Sequence, residues 1–217
     1  MKSVLVIGIG RFGYHLIDQL NKAGDEIMAV DSSEERINPI LGMVTSSLIG
    51  DATDEHFIKS LGVENFDVCF VAIGDKFQSS LEATSLLKEN GAKYVVARAS
   101  RSVQEKFLLR NGADSVVFPE RQLAEWSAIR YCSATVLDYL EYPGEYSIFE
   151  VKVPDNWIGK SLADLSVRNK LHLNVLSIKR SDKPILEFPA DLVFEEGDTV
   201  TVFGADKDIK KAFGINY

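Results

Sequence analysis

The sequence predicts an α/β protein, a doubly wound parallel sheet followed by a small α+β module. Three observations carry that expectation. Six short β-branched runs alternate with amphipathic segments over residues 3–120. The fourth run, DVCFVAIGD at 67–75, is apolar almost throughout, as a strand buried on both faces must be. From Tyr146 onward the pattern changes to strands of alternating polarity. Repeated β-α-β units place helices on both faces of a parallel sheet through right-handed crossovers, and such sheets collect ligands at the carboxyl ends of their strands.

Each element has its own warrant. SVLVIG (3–8) is the first strand. RFGYHLIDQLNKAG (11–24) is the first helix, with Leu16, Ile17 and Leu20 at helical spacing and Gly24 where a left-handed terminal residue is needed. EIMAVD (26–31) is strand two; Ser32 or Ser33 caps the next helix, whose positive end suits Glu34 and Glu35. SSLIGD (46–51) is strand three and DEHFIKSLG (54–62) a short helix before strand four. KFQSSLEATSLLKENGA (76–92) is a helix, YVVARAS (94–100) strand five, SVQEKFLLRNGA (102–113) a helix and SVVFPE (115–120) strand six. ERQLAEWSAIRYCSATVLDYLEY (120–142) is one longer helical stretch, and Pro143–Glu145 a turn where the domain boundary is placed. The first domain is thus 1–140, crossover helix included, and the second 141–217. In the second, YSIFEVKV (146–153) and LNVLSIKR (173–180) are strands and GKSLADLSVRNK (159–170) is a short helix. EFPADLVFEEGDTVTVFG (187–204) holds a turn and a strand, and ADKDIKKAF (205–213) is the last helix, on a mainly antiparallel sheet. So small a domain builds a modest core and is expected to dimerise or pack on a neighbour.

The 217 residues are 46% hydrophobic and 26% charged, an ordinary globular composition. A formal net charge of -8 argues against nucleic-acid binding, which needs a basic footprint, and leaves docking to a basic partner open. Cys69 and Cys132 belong to no CxxC or Cys/His cluster, so two reduced structural thiols are expected, as in a cytosolic protein. The opening residues form no charged-then-apolar leader, and no apolar run nears the roughly 20 residues of a membrane helix. A soluble cytoplasmic protein with no direct membrane insertion is expected.

Gly8, Gly10 and Gly13 fit G-x-G-x-x-G, directly after a strand and at the start of a helix. The first glycine permits the tight turn, the second lets backbone approach phosphate, and the third lets helix and strand pack closely. Helix-start N–H groups then face the anion. Asp31 ends strand two, where it can accept hydrogen bonds from both hydroxyls of an adenosine ribose and would repel a 2′-phosphate. The combination predicts a Rossmann-like domain that binds an adenine nucleotide, and ATP/ADP and NAD(H) satisfy it equally. Arg11 follows the second glycine, and is either a fork for terminal phosphate oxygens or a surface arginine.

The other strand ends add candidates. Gly50 in GDATD allows a turn, where Asp51 either meets an adenine edge through backbone or side chain or is purely structural; Asp54 caps the following helix. Gly74 in AIGD keeps space beside the first loop open for a ligand, unless this is a plain turn capped by Asp75. Arg98 ends strand five and either neutralises phosphate or forms a surface salt bridge. Glu120 follows strand six and either binds a divalent cation such as Mg held by nucleotide phosphates or starts a helix after Pro119.

Hydride transfer needs a positioned acid or base beside the cofactor. His15, His56 and His172 lie on the first helix, at a polar helix start and in the second domain, and no HxxxH or CxxC metal spacing occurs. Binding is therefore favoured over chemistry. An NAD-dependent oxidoreductase is the alternative class. A redox-sensing transcriptional repressor would need a basic DNA-reading helix, and no Lys/Arg-rich helix of that kind is found.

GIGRFG, AVD, GDATD, VAIGD and the GAD…VVFPE pair, followed by SVRNKLHLNVLSIKR and GDTVTVFG, together resemble the RCK (KTN) family with its RCK-C (TrkA-C-like) domain. That family supplies cytosolic regulatory subunits of Trk/Ktr potassium transporters and ligand-sensing domains of potassium channels; this glycine loop is most similar to the Ktr type. The resemblance implies that Gly8, Gly10, Arg11, Phe12 and Gly13 form the nucleotide loop and that Asp31 holds ribose. It places Asp51 and Ala52 by the adenine, Ile73 and Gly74 beside the nucleotide, and Arg98 near it. Glu120 matches a glutamate linked to ATP-dependent cation binding. Also implied are homodimers in which Arg11 reaches phosphates across the interface, a homo-octameric ring beneath a transmembrane potassium-translocating subunit, and gating by ATP versus ADP or NADH versus NAD. Cyclic di-AMP binds some C-terminal domains, with Arg168 in the matching segment. Gln122–Tyr139, with Leu123, Trp126, Ile129 and Tyr131, is then a dimer crossover or packs only on its own sheet.

Overall fold

Five consecutive residues set the layering. In β1 (Ser3–Ile7) Val4 and Val6 point into one apolar layer and Leu5 and Ile7 into the other, all four buried. The computed structural model describes residues 1–74 and 76–215; Asp75, the cap in the plain-turn alternative for AIGD, lies outside the described residues. The chain divides into two compact units, Met1–Arg121 and Gln122–Tyr217.

In the first unit β1 is followed by α1 (Arg11–Ala23), β2 (Glu26–Asp31), α2 (Glu34–Ile37), β3 (Ser46–Ile49), α3 (Glu55–Ser60) and β4 (Val68–Val71). Then come α4 (Phe77–Glu89), β5 (Val95–Arg98), α5 (Ser102–Arg110) and β6 (Ser115–Val117). The sheet is parallel in the order β3-β2-β1-β4-β5-β6. The order reverses between β1 and β4, which creates a crevice at their carboxyl ends. Right-handed crossovers on either side of that reversal send helices to opposite faces. Ile17 of α1 and Ile37 of α2 pack on Val4, Val6, Ile27 and Ala29. On the other face Ile58, Leu87 and Leu108 of α3, α4 and α5 pack with Leu5, Ile7, Cys69, Val71 and Val95. Burial pushes the Cys69 thiol up to about 12, so it is an inert part of this core, whereas Cys132 is exposed.

Local signals mostly act as expected. Gly24 takes φ 80 and its N–H closes the end of α1 on Leu20 and Asn21. Asp54 caps α3 by accepting the Phe57 N–H at 2.9 Å. At α2 the cap differs. The Ser33 side chain caps nothing; its backbone N–H instead donates to Asp31 Oδ1 at 2.9 Å.

A helix, α6 (Pro119–Cys132), runs through the division point, and here the long helical stretch expected to Tyr142 is wrong. Ser133 Oγ accepts the N–H groups of Thr135 and Val136, each at 3.3 Å, which diverts the backbone from helical bonding. Residues Val136–Tyr142 then form β7, which pairs antiparallel with β8 (Tyr146–Lys152) across the Pro143–Glu145 turn. The expected helix at 159–170 is two short ones, α7 (Leu162–Leu165) and α8 (Val167–Lys170), broken at Ser166 with φ 47. β9 (Asn174–Arg180) turns into an unanticipated strand, β10 (Lys183–Ile185), through Ser181 and Asp182, both left-handed as a two-residue hairpin requires. β11 (Thr199–Ala205) and α9 (Asp206–Phe213) complete the unit. Its sheet is antiparallel, ordered β10-β9-β11-β8-β7, with Phe149, Val151, Ile178, Val200 and Val202 turned inward. Trp157 fills the core against Phe194 and Phe213, ring centroids 5.5 and 5.2 Å away. Among the described residues no helix is long and apolar enough to cross a membrane.

Candidate functional site

The crevice between β1 and β4 is a cleft of about 480 Å³ in the first unit. Its floor is the glycine loop. Gly8 has φ +93, and a Cβ there would stand 3.0 Å from the Ile73 nitrogen, so the first β-α turn is pressed against the end of β4. A Cβ on Gly13 would lie 2.0 Å from the Gly8 carbonyl oxygen, which makes glycine the only residue that seats α1 on the loop. Gly10 differs: a Cβ there meets nothing within 4 Å, so its backbone faces open cleft. Gly10 is also the N-cap of α1, without a side-chain cap and without an acid in the first turn. Unpaired helix-start N–H groups facing open space suit an anion.

One end of the cleft is acidic. Asp31 is buried, with Oδ2 accepting the Ile9 N–H at 2.7 Å and Oδ1 the Ser33 N–H at 2.9 Å. Arg36 Nη1 stands 3.5 Å from Oδ2. Across from it, Asp51 Oδ1 accepts both the N–H and the hydroxyl of Thr53, at 2.9 and 2.8 Å. Those two bonds, helped by the Lys76 charge and opposed by slight burial, hold the Asp51 carboxyl below its usual range. Ala52 is buried between these groups and the core.

The other end is cationic. The Arg98 side chain is only 15% exposed, and its guanidinium lies across Gly74, where a Cβ would come 2.1 Å from Nη1. It sits 5.9 Å from the Phe12 ring centroid and bonds through Nη2 to Glu120 Oε1. Its Nε is buried without a partner among the described residues. Burial pushes the Glu120 carboxyl up, but its own backbone N–H, the Arg98 hydrogen bond and the charges of Arg98 and Arg11 outweigh this and keep it below the ordinary range. Arg11 is exposed at the lip, and Lys76 and Ser79 line the cleft from the start of α4.

The structure thus brings Gly8, Gly10, Arg11, Asp31, Asp51, Ala52, Ile73, Gly74 and Arg98 into one lining. Phe12, Gly13 and Glu120 stand behind it: Phe12 packs on the α1-side core, Gly13 seats the helix, and Glu120 holds Arg98. Arg98 forms an ion pair with Glu120 and also lines the cleft. Arg36, Lys76, Ser79 and Thr53 also line the cleft and were not anticipated. Each follows the carboxyl end of a strand, Arg36 after β2, Thr53 after β3, and Lys76 and Ser79 after β4. Among the described residues no group of three His, Cys, Asp or Glu side chains is placed to hold a metal ion.

The TrkA-N domain model matches residues 4–119 and the TrkA-C domain model residues 147–215. The Ktr system potassium uptake protein C of Bacillus subtilis (strain 168) is 38% identical over 210 residues, 97% of this chain and 95% of that protein. The Ktr system potassium uptake protein A of the same organism is 35% identical over the same shares. A solved structure of the GsuK channel bound to NAD has the same fold, with a TM-score of 0.69 at 17% identity. It covers 100% of this chain, which spans only 40% of that one. On both domain matches and on these identities, the chain belongs to the TrkA-N/TrkA-C family that includes the Ktr system potassium uptake proteins.

Proposed function

We propose that this chain is the nucleotide-sensing regulatory subunit of a potassium uptake system, and not an enzyme. It binds an adenine nucleotide in the β1–β4 cleft and passes the bound state to a transmembrane potassium-translocating partner, which holds it at the inner face of the cell membrane. The observation that carries this is the polarity of the cleft. A fixed carboxylate, Asp31, waits at the ribose end, while Arg11 and Arg98 flank an uncapped helix start at the other and Lys76 adds positive charge to the lining. The Arg98 Nε is a buried donor with no partner among the described residues, and a phosphate oxygen would satisfy it.

In this reading Gly8, Gly10 and Arg11 hold phosphates, with Phe12 and Gly13 shaping the loop. Asp31 holds ribose, Asp51 and Ala52 lie by the adenine, and Ile73 and Gly74 flank the nucleotide. ATP/ADP fits better than NAD(H), because the Arg98 guanidinium fills the space over Gly74 that a second nucleoside would need. Glu120 would take a divalent cation only once phosphate draws Arg98 away from it. Gating follows if a ring of copies, built from homodimers, binds the two nucleotides with different affinity in two shapes; tight binding alone shifts nothing. Arg11, exposed at the lip, is placed to reach a neighbour's terminal phosphate, and the exposed Leu123 and Tyr131 of α6 suit a dimer contact. Cyclic di-AMP is the second ligand to test, at Arg168 of α8.

Mass spectrometry of ligand released from purified protein, with thermal shifts for ATP, ADP, NAD, NADH and cyclic di-AMP, tests the proposal. ATP and ADP should stabilise most, and Arg11→Ala should narrow the gap between them more than it weakens either. Indifference to every adenine nucleotide refutes the sensor. Turnover of NADH with small carbonyl compounds would establish the oxidoreductase instead.

A further inference from the structure

We infer that Arg36 reads the base: its guanidinium closes over the adenine as a stacking plane and so selects a purine. This rests on the adenosine reading of the cleft given above. Arg36 lines the same cleft as Asp31, Ser32 and Ser33, and so do Asp51, Ala52 and Thr53, which follow the neighbouring strand β3. A base extending from a ribose held on Asp31 passes among these residues.

The Arg36 backbone is held by the core, while its head is largely exposed and touches the protein through one long contact. Ile37, the next residue, is buried in the core with Ile40, which anchors α2. The Arg36 side chain is 58% exposed, and its contact with Asp31 is 3.5 Å long. Asp31 does not depend on that contact, because each of its oxygens already accepts a short backbone N–H bond. An exposed guanidinium on an anchored helix is left with its face available.

Nothing else at this end offers a plane. Ala52 and Thr53 give the base a small floor, and none of the described residues lining the cleft is aromatic. A planar, delocalised, weakly hydrated guanidinium stacks on aromatic rings, whereas an ammonium does not replace that plane. A 2′-phosphate receptor is the other role an arginine takes beside a ribose site. The buried Asp31 carboxylate occupies the neighbouring position and repels that phosphate, so stacking is the role the site supports.

Equilibrium binding of ADP, UDP and 2′,5′-ADP to the full-length parent, Arg36→Ala and Arg36→Lys decides this. Arg36→Ala should lose about tenfold in affinity for ADP and clearly less for UDP, whose ring stacks less. Arg36→Lys should recover little of the loss. The ligand-free unfolding midpoint should stay within a degree or two, because the residue is a surface group on an anchored helix. Equal losses for ADP and UDP, or full rescue by lysine, would mean that Arg36 acts only as a charge and would overturn the inference. A loss confined to 2′,5′-ADP would make it a 2′-phosphate receptor and overturn it as well. Failure of the parent to bind any of the three removes the adenosine reading itself, a result distinct from a parent that binds and a variant that discriminates as before.

Discussion

Two arginines each end a strand, and they are treated in opposite ways. Arg180 ends β9 with four of its five N–H donors spent inside the protein. Nε and Nη2 bond to the two oxygens of Asp198 at 2.9 and 2.8 Å, Nη2 also reaches the Val193 carbonyl at 2.9 Å, and Nη1 pairs with Glu195. Asp198, with its side chain 1% exposed, accepts the Glu195 N–H as well, so the knot ties residues 193–198 to the sheet. Arg98 ends β5 with Nη2 on Glu120 and a buried Nε that has no partner among the described residues. Buried polar groups are nearly always paired, so the exception asks for a reason. The contrast supplies one: a saturated arginine belongs to the fold, and an unsaturated one facing a cleft belongs to a ligand.

The largest effect should come from breaking the saturated case. Arg180→Ala leaves a buried carboxylate with a single backbone donor and should cost about 3 kcal/mol in urea unfolding at neutral pH. The pH dependence has a definite sign. Burial pushes the Asp198 carboxyl up, but the Arg180 hydrogen bonds, the Glu195 N–H and the Arg180 charge outweigh it, so its folded value lies below the ordinary one. The stabilisation is therefore present above the unfolded value near ~4 and is lost as pH falls through the folded value. The gap between parent and variant should shrink in acid. A gap that persists at low pH would place the cost in lost packing rather than in the ion pair.

The glycine loop carries the same contrast within five residues. Gly13→Ala drives a Cβ to 2.0 Å from the Gly8 carbonyl oxygen, a backbone atom, so the helix must shift. That strain should cost about 1–3 kcal/mol and abolish the nucleotide thermal shift. Gly10→Ala puts a Cβ into open cleft and should change stability by under about 1 kcal/mol, yet it too blocks the approach of phosphate. If both variants unfolded alike, the division between fold glycine and ligand glycine would be wrong.

What could be read without coordinates follows from how local each constraint is. The first unit was legible because burial on both faces writes continuous apolar strands, and because Gly8, Gly13 and Asp31 answer to sterics and spacing within one β-α-β unit. The strand β7 was not. In VLDYLEY the apolar Val136, Tyr139 and Leu140 fit helical spacing as well as a strand, and the Ser133 side chain that stops α6 leaves no periodic trace. With three residues, β10 is too short to show a period. Arg36 and Lys76 look like solvated charges along the chain, and only folding brings them to the rim of the cleft. The unmet Nε of Arg98 is likewise invisible in sequence, because a missing partner is a property of the packed state.

The smallest effect on stability should belong to Arg98→Ala, and that is what makes it informative. Its partner Glu120 is 56% exposed, so the pair is screened and contributes no more than about 1 kcal/mol, and deleting a buried donor that lacks an acceptor offsets part of the loss. Unfolding should hardly change. Binding should change in two directions at once. Affinity for ATP and ADP falls with the loss of a phosphate partner, while NADH gains relative to ADP because the space over Gly74 is vacated. Calorimetric titration of the three nucleotides into parent and variant, beside urea curves for both, measures each arm. If the variant lost as much stability as Arg180→Ala, Arg98 would be a piece of the fold. If it stayed stable and bound all three nucleotides as the parent does, the unpartnered donor would face the cleft without serving it.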